Sequence, residues 1–360
     1  MRDHVPLQGP ETEGAPLIAQ GSPLKVPRRV LIVAPSWIGD TIMMQPLLMR
    51  LHERFPGIAI DVLAPAWCAP LLARMPEIRR TVSSPFVHGK FDLTGRWRLG
   101  RQLALEAYDQ AFVLPNSWKS ALPVFLAGIG QRTGYHGEAR IGLLNDRRPL
   151  DEAAVPRLVD RYIRLGDANG AEPQTTPNPR IQSTVAQQVA ARAALNLPED
   201  VSPVVFCPGA EYGPAKRWPA RHFAALARHF AELAIPVWLI GSAKDAAVGD
   251  EIQQLSDGAA QNLCGLTNLE QAVDLIASAR LVVSNDSGLM HVAAAVDRPL
   301  VAIYGSSSPA YTPPLSPRAK IMTLALDCSP CFKRECPLGH LRCLEDLSPE
   351  RVLAALPDHA

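Results

Sequence analysis

The chain has 360 residues, 47% of them apolar, with 36 basic against 35 acidic side chains. This near-neutral balance argues against a dedicated nucleic-acid binder, and no apolar run reaches the roughly 20 residues needed to span a bilayer. The length allows two ordinary cores, so two domains are expected.

Residues 1–27 carry Pro and Gly without periodicity and lack the apolar stretch of a signal peptide. They are expected to be a disordered extension of a cytoplasmic protein. A strand over 29–34 (RVLIVA), a helix over 40–55 and a strand over 58–63 then form a βαβ opening. The intervening turn, Pro35-Ser36-Trp37-Ile38-Gly39-Asp40-Thr41, sets a carboxylate at a helix start. Asp40 could serve as a general base, as a helix cap, or as both.

Between 74 and 101 come Arg74, Arg79, Arg80, Lys90, Arg96, Arg98 and Arg101 against Glu77 and Asp92, interleaved with Phe86, Phe91 and Trp97. Such a segment suits a phosphorylated acceptor at a membrane surface, or is a solvated basic face. The alternation continues with a strand over 110–114 and helices over 117–127 and 157–169. It breaks at AEPQTTPNPR (171–180), which reads as a linker. The expected division is an N-terminal domain over 28–172, a linker over 173–182 and a C-terminal domain over 183–360.

In the second series, strands are expected over 203–207, 236–240, 279–284 and 299–304, with helices over 219–234, 243–255, 268–278 and 287–296. The fold class is therefore α/β, two Rossmann-like doubly wound domains facing across a cleft. Ligands of such sheets gather beyond the carboxyl ends of the strands. Three loops fall there. The loop from Cys207 to Pro219 contains Gly209 and ends in Lys216-Arg217-Trp218-Pro219, whose cations suit a pyrophosphate or merely begin a solvated helix. Gly241-Ser242-Ala243-Lys244-Asp245 is placed to touch a nucleotide. Asn285-Asp286-Ser287-Gly288 leads a strand into a helix, where free amides and the helix dipole suit a diphosphate, although Asp286 or Ser287 could be a routine cap. His291 lies one turn deeper, as a ligand contact or a core histidine.

The chain has no Asp-x-Asp triplet and no phosphate-binding G-x-x-x-x-G-K-[ST] loop, and its G-x-G at Gly128 and Gly130 follows a helix. No divalent metal or other cofactor is expected. Cys68, Cys207 and Cys264 sit in apolar settings, whereas Cys328, Cys331, Cys336 and Cys343 lie close enough to hold zinc, to be redox-sensitive, or to form a loop of reduced thiols.

RVLIVAPSWIGDTIMMQPLL, PGAEYGPAKRWP, NDSGLMHVAAAVDRPLVAIYG and CSPCFKRECPLGHLRCL occur in this order. Over about residues 29–357 the chain resembles the ADP-heptose:lipopolysaccharide heptosyltransferases, and within them the branch that adds the second heptose. The resemblance implies a GT-B architecture and inverting transfer of L-glycero-D-manno-heptose from ADP-heptose to the first heptose of a heptosyl-Kdo2-lipid A type acceptor. That acceptor lies at the inner face of the cytoplasmic membrane. Asp40 would be the base and Lys216 would bind the diphosphate. Gly39, Gly209, Ser242, Asp286, Ser287, Gly288 and His291 would line the donor site, and Arg79, Arg80, Arg96 and Arg98 the acceptor site. First-heptose enzymes carry Thr at the place of Ser287 and Ser at the place of Met290. Still open are another metal-independent GT-B transferase, a nucleotide-sugar epimerase, a non-catalytic nucleotide-binding protein, and a redox or zinc protein.

Overall fold

The computed structural model describes residues 27–86, 91–171 and 174–356. The expected extension, apart from residue 27, lies outside them, as do Lys90 and positions 172 and 173. Two six-stranded sheets organise the chain, and every strand pair is parallel. The first contains β1 (Arg29–Val33), β2 (Ala59–Pro65), β3 (Arg80–Ser84), β4 (Gln110–Val113), β5 (Gln131–Tyr135) and β6 (Asp146–Arg148), in the order β3-β2-β1-β4-β5-β6. The second contains β7 (Val204–Cys207), β8 (Val237–Leu239), β9 (Ala260–Asn262), β10 (Leu281–Asn285), β11 (Leu300–Ile303) and β12 (Ala319–Met322), in the order β12-β11-β10-β7-β8-β9. Each half thus has its first and fourth strands side by side, and there the winding direction reverses. That reversal opens a crevice at the carboxyl ends of β1 and β4, and another at those of β7 and β10.

Helices cover both faces of each sheet, so the central strands read as apolar runs. Every residue of β4, β7 and β10 is buried. The edge strands β3, β6, β9 and β12, and β5 beside β6, carry polar or charged residues and little apolar alternation, which is why sequence periodicity passes over them. The expected helix 40–55 is two helices, Ile38–Met43 and Gln45–Arg54. Pro46 has no N–H to give to the Ile42 carbonyl, and the ladder is interrupted there.

Pro123 sits inside the helix Trp118–Leu126 and likewise leaves the Lys119 carbonyl without its helical donor. Arg96, on the helix Leu93–Ala104, supplies one instead, Nη1 to the Lys119 oxygen at 2.6 Å. Its guanidinium is buried and lies 4.0 Å from the Phe86 ring centre.

The halves dock tightly. The Arg180 amide donates to Gln45 Oε1 at 2.7 Å, the Ile181 amide to the Ala295 carbonyl at 3.1 Å, and the Gln182 amide to the Arg74 carbonyl at 3.1 Å. The expected linker is therefore fixed along the seam at its second end. Arg74 forks onto Asp274 with both bonds at 2.7 Å, and both side chains are buried. One apolar core runs from Leu47 and Leu71 in the first half to Ile276 and Val292 in the second.

Candidate active site

The helix Ile38–Met43 follows β1, and the helix Gly288–Ala295 follows β10, so both begin at a carboxyl edge. They meet face to face. A Cβ on Gly39 would stand 2.6 Å from His291 Cδ2, and one on Gly288 would stand 2.7 Å from Ile38 Cβ. Only residues without side chains permit this approach.

Asp40 is not a helix cap. The N-cap position belongs to Trp37, which makes no side-chain cap bond, and Asp40 sits in the first turn. Nor does Ser287 cap its helix, although it holds the N-cap position. The first-turn amides there have no side-chain cap and lie beside the seam.

Asp286 is placed by its backbone, whose amide donates to the Ile303 carbonyl at 2.9 Å. Its buried carboxylate oxygen Oδ2 accepts from Lys216 Nζ at 2.5 Å and from the Ser307 hydroxyl. Lys216 ends a short turn, Pro214–Lys216, after β7. That turn is braced from behind: the Ala215 amide donates to the Arg334 carbonyl at 3.0 Å, and the Ser306 amide to the Ala215 carbonyl at 3.1 Å. Asn285 ties the same loop down, accepting from the Trp218 amide at 3.0 Å and donating to the Pro208 carbonyl at 2.6 Å.

Asp40, Lys216 and Asp286 lie within one another's electrostatic reach. Burial lifts the Asp40 carboxyl to about 6; the Lys216 ammonium opposes the lift, and the Asp286 carboxylate adds to it. The buried His291 imidazole is pushed down to about 4 by loss of solvent, so it is neutral at pH 7. The cluster joins a carboxylate that titrates near neutrality to an ammonium already neutralised by a second carboxylate. Such a set can take a proton on one side and receive an anion on the other.

Gly209 packs against the Asp245 carboxyl, leaving no room for a side chain. The Ser242 hydroxyl donates to Asp245 Oδ2 at 2.7 Å within the capping box of the next turn. Ser307 escaped the sequence reading, although the run Gly305-Ser306-Ser307-Ser308 after an apolar strand is the kind of polar loop found at a carboxyl edge.

The four acceptor-site arginines separate. Arg79 and Arg80 do not reach the crevice: both bind the buried Asp61, with Nη2 of each at 2.6 and 3.2 Å from Oδ2. The Tyr108 hydroxyl donates to the same oxygen at 2.6 Å. Burial works against the Asp61 charge, but hydrogen bonds from Arg79 and Tyr108 and the two guanidinia hold its carboxyl below the usual range. This group lies toward the amino ends of β2, β3 and β4, the opposite end from Asp40. Arg96 serves the Lys119 carbonyl and is buried. Arg98 is exposed on the helix Leu93–Ala104, which follows β3.

Cys328, Cys331, Cys336 and Cys343 line one small cavity with His340, beside Ala215 and Ser306. Among the described residues, no group of three or more His, Cys, Asp or Glu is arranged to hold a metal ion. Cys68, Cys207 and Cys264 are buried, and burial raises all three thiols.

The profile of glycosyltransferase family 9 (heptosyltransferase) matches residues 96–342. The chain is 46% identical over 338 residues to lipopolysaccharide heptosyltransferase 2 of Salmonella typhimurium, covering 91% of this chain and 97% of that one. Identity and coverage are the same for lipopolysaccharide heptosyltransferase 2 of Escherichia coli K12. The solved structure of E. coli ADP-heptose LPS heptosyltransferase II superposes with a TM-score of 0.81 at 44% identity, covering 91% of this chain and 96% of that one. With both sheets, both crevices and most of its length matched, the chain belongs to glycosyltransferase family 9, the heptosyltransferases.

Proposed function

We propose that this glycosyltransferase moves L-glycero-D-manno-heptose from ADP-heptose to the first heptose of the lipopolysaccharide inner core, inverting the anomeric centre. The observation that carries the reading is Asp40 on one half facing the Lys216 and Asp286 pair on the other. In this scheme Asp40 takes the proton from the acceptor hydroxyl as its oxygen bonds to the anomeric carbon and the bond to ADP breaks. Lys216 turns from Asp286 to the leaving diphosphate and offsets its charge, with no divalent metal required. Gly39, Gly209, Ser287, Gly288 and His291 shape the donor site, and Asp286 faces the heptose. Ser242 contributes through the turn it caps. Arg98 meets the acceptor.

On this reading residues 28–172 receive the acceptor and residues 183–360 the nucleotide sugar, with the enzyme working in the cytoplasm at the inner membrane face. Among the described residues no helix is long and apolar enough to cross a membrane. Incubation with ADP-heptose and a mono-heptosylated core acceptor tests donor, acceptor and reaction together. A product heavier by one heptose is expected. ADP binding with no transfer to any core acceptor would overturn the proposal.

A further inference from the structure

The half-exposed tryptophans all fall in the first half of the chain. Trp218 and Trp238, in the second half, are each 1% exposed. In the first half Trp37, Trp67 and Trp97 are 50%, 48% and 54% exposed, and Phe91 and Leu93 are similarly open. These five share a place in the fold. Trp37 follows β1, Trp67 follows β2, and Phe91, Leu93 and Trp97 follow β3. All therefore lie on the carboxyl side of the first sheet, the side from which Asp40 is presented.

The ring of Phe91 packs on Trp118, with centroids 5.0 Å apart, and Lys119 Nζ lies 5.9 Å from the Phe91 centroid. Arg98 and Arg101 are exposed on the same helix as Leu93 and Trp97. The nearby acid Asp92 caps this helix, its Oδ1 accepting from the Gly95 amide at 2.7 Å. The rim is thus aromatic and basic, and its nearest acid is engaged.

An exposed apolar cluster costs solubility unless something covers it. Tryptophans at headgroup depth, a leucine below them and arginines or lysines around them are what a bilayer interface accepts. The positive charge selects anionic lipid. We propose that this rim, Trp37, Trp67, Phe91, Leu93 and Trp97 with Arg98 and Lys119, seats the protein on an acidic phospholipid bilayer. Seated so, the mouth of the site opens toward the surface from which a lipid-linked sugar acceptor projects, and in that respect the inference rests on the proposed acceptor.

The test uses the full chain and sedimentation with vesicles of phosphatidylethanolamine and phosphatidylglycerol, without acceptor. Binding should weaken as salt rises and fail on purely zwitterionic vesicles. The double variant Leu93→Ser/Trp97→Ser should partition about tenfold less, while its turnover on a deacylated, soluble acceptor stays unchanged. Trp67→Ser, a second variant on a different turn, should also lose binding, and tryptophan emission of the unaltered protein should shift to the blue on the vesicles. Absence of binding to anionic vesicles, indifference to both variants, or binding only when the vesicles carry acceptor would overturn the proposal. Vesicle binding by a protein that transfers to no acceptor would leave the docking surface standing and remove the proposed function instead.

Discussion

Burial raises the Asp40 carboxyl from 3.8 to about 6, against the pull of Lys216 and with the push of Asp286. The sign of the stability effect follows. Below about pH 4 the carboxyl is protonated folded and unfolded alike, so nothing is lost. Above about pH 6 it must be charged in the fold, at a cost of at most about 3 kcal/mol, reduced by its partial exposure. Asp40→Asn should therefore melt higher than the parent at pH 8 and at the same temperature at pH 4, as scanning calorimetry would read. The same variant should lose at least about 100-fold in transfer rate. In the parent, kcat/KM should fall as pH drops through about 6, since only the ionised carboxylate accepts a proton. A profile flat from pH 5 to 8 would remove Asp40 from that role. Asp40, Lys216 and Asp286 were legible in the sequence because each follows an apolar strand. The task of Arg96 was not, because it depends on Pro123, 27 positions away, freeing a carbonyl that only the folded chain brings near.

At the seam two helices meet with Gly39 against the His291 ring and Gly288 against the Ile38 side chain. Gly39→Ala places a methyl 2.6 Å from His291 Cδ2, and no staggered rotamer relieves a clash at Cβ. Loss of about 1–3 kcal/mol by chemical denaturation is expected, together with weaker transfer. Adding His291→Ala should restore part of the stability, giving a coupling of about 1 kcal/mol in a double-mutant cycle. Additive losses would mean that the helices do not press on each other in solution. Strands were read well where they are buried runs of apolar residues, as β1, β7 and β10 are. They were read poorly at the sheet edges, where β3 (RTVSS) and β6 (DRR) owe their conformation to a neighbouring strand.

The fork of Arg74 on Asp274 spans the whole molecule, joining the turn after Ala69–Leu72 to the helix Leu269–Ala277. In the sequence Arg74 stands only as the first cation of a basic run, and nothing local distinguishes it from Arg98. Its partner is 200 positions away. Arg74→Met leaves Asp274 buried with Ser183 as its remaining partner, and should cost about 3–5 kcal/mol in urea denaturation. Replacing both, as Arg74→Met/Asp274→Leu, should recover much of that loss. If the single variant unfolds with the parent's midpoint, the pair does not hold the halves together.

Lys216 is already paired before any ligand arrives, and this has a calorimetric consequence. A diphosphate that draws the ammonium away from Asp286 brings new negative charge toward Asp40, whose carboxyl already sits close to its titration point. Donor binding near pH 6 should then pull a hydrogen ion out of the buffer. The heat of ADP binding would differ between phosphate and imidazole in proportion to their ionisation enthalpies. Equal heats in the two would mean that the anion enters without disturbing the acid on the opposite wall.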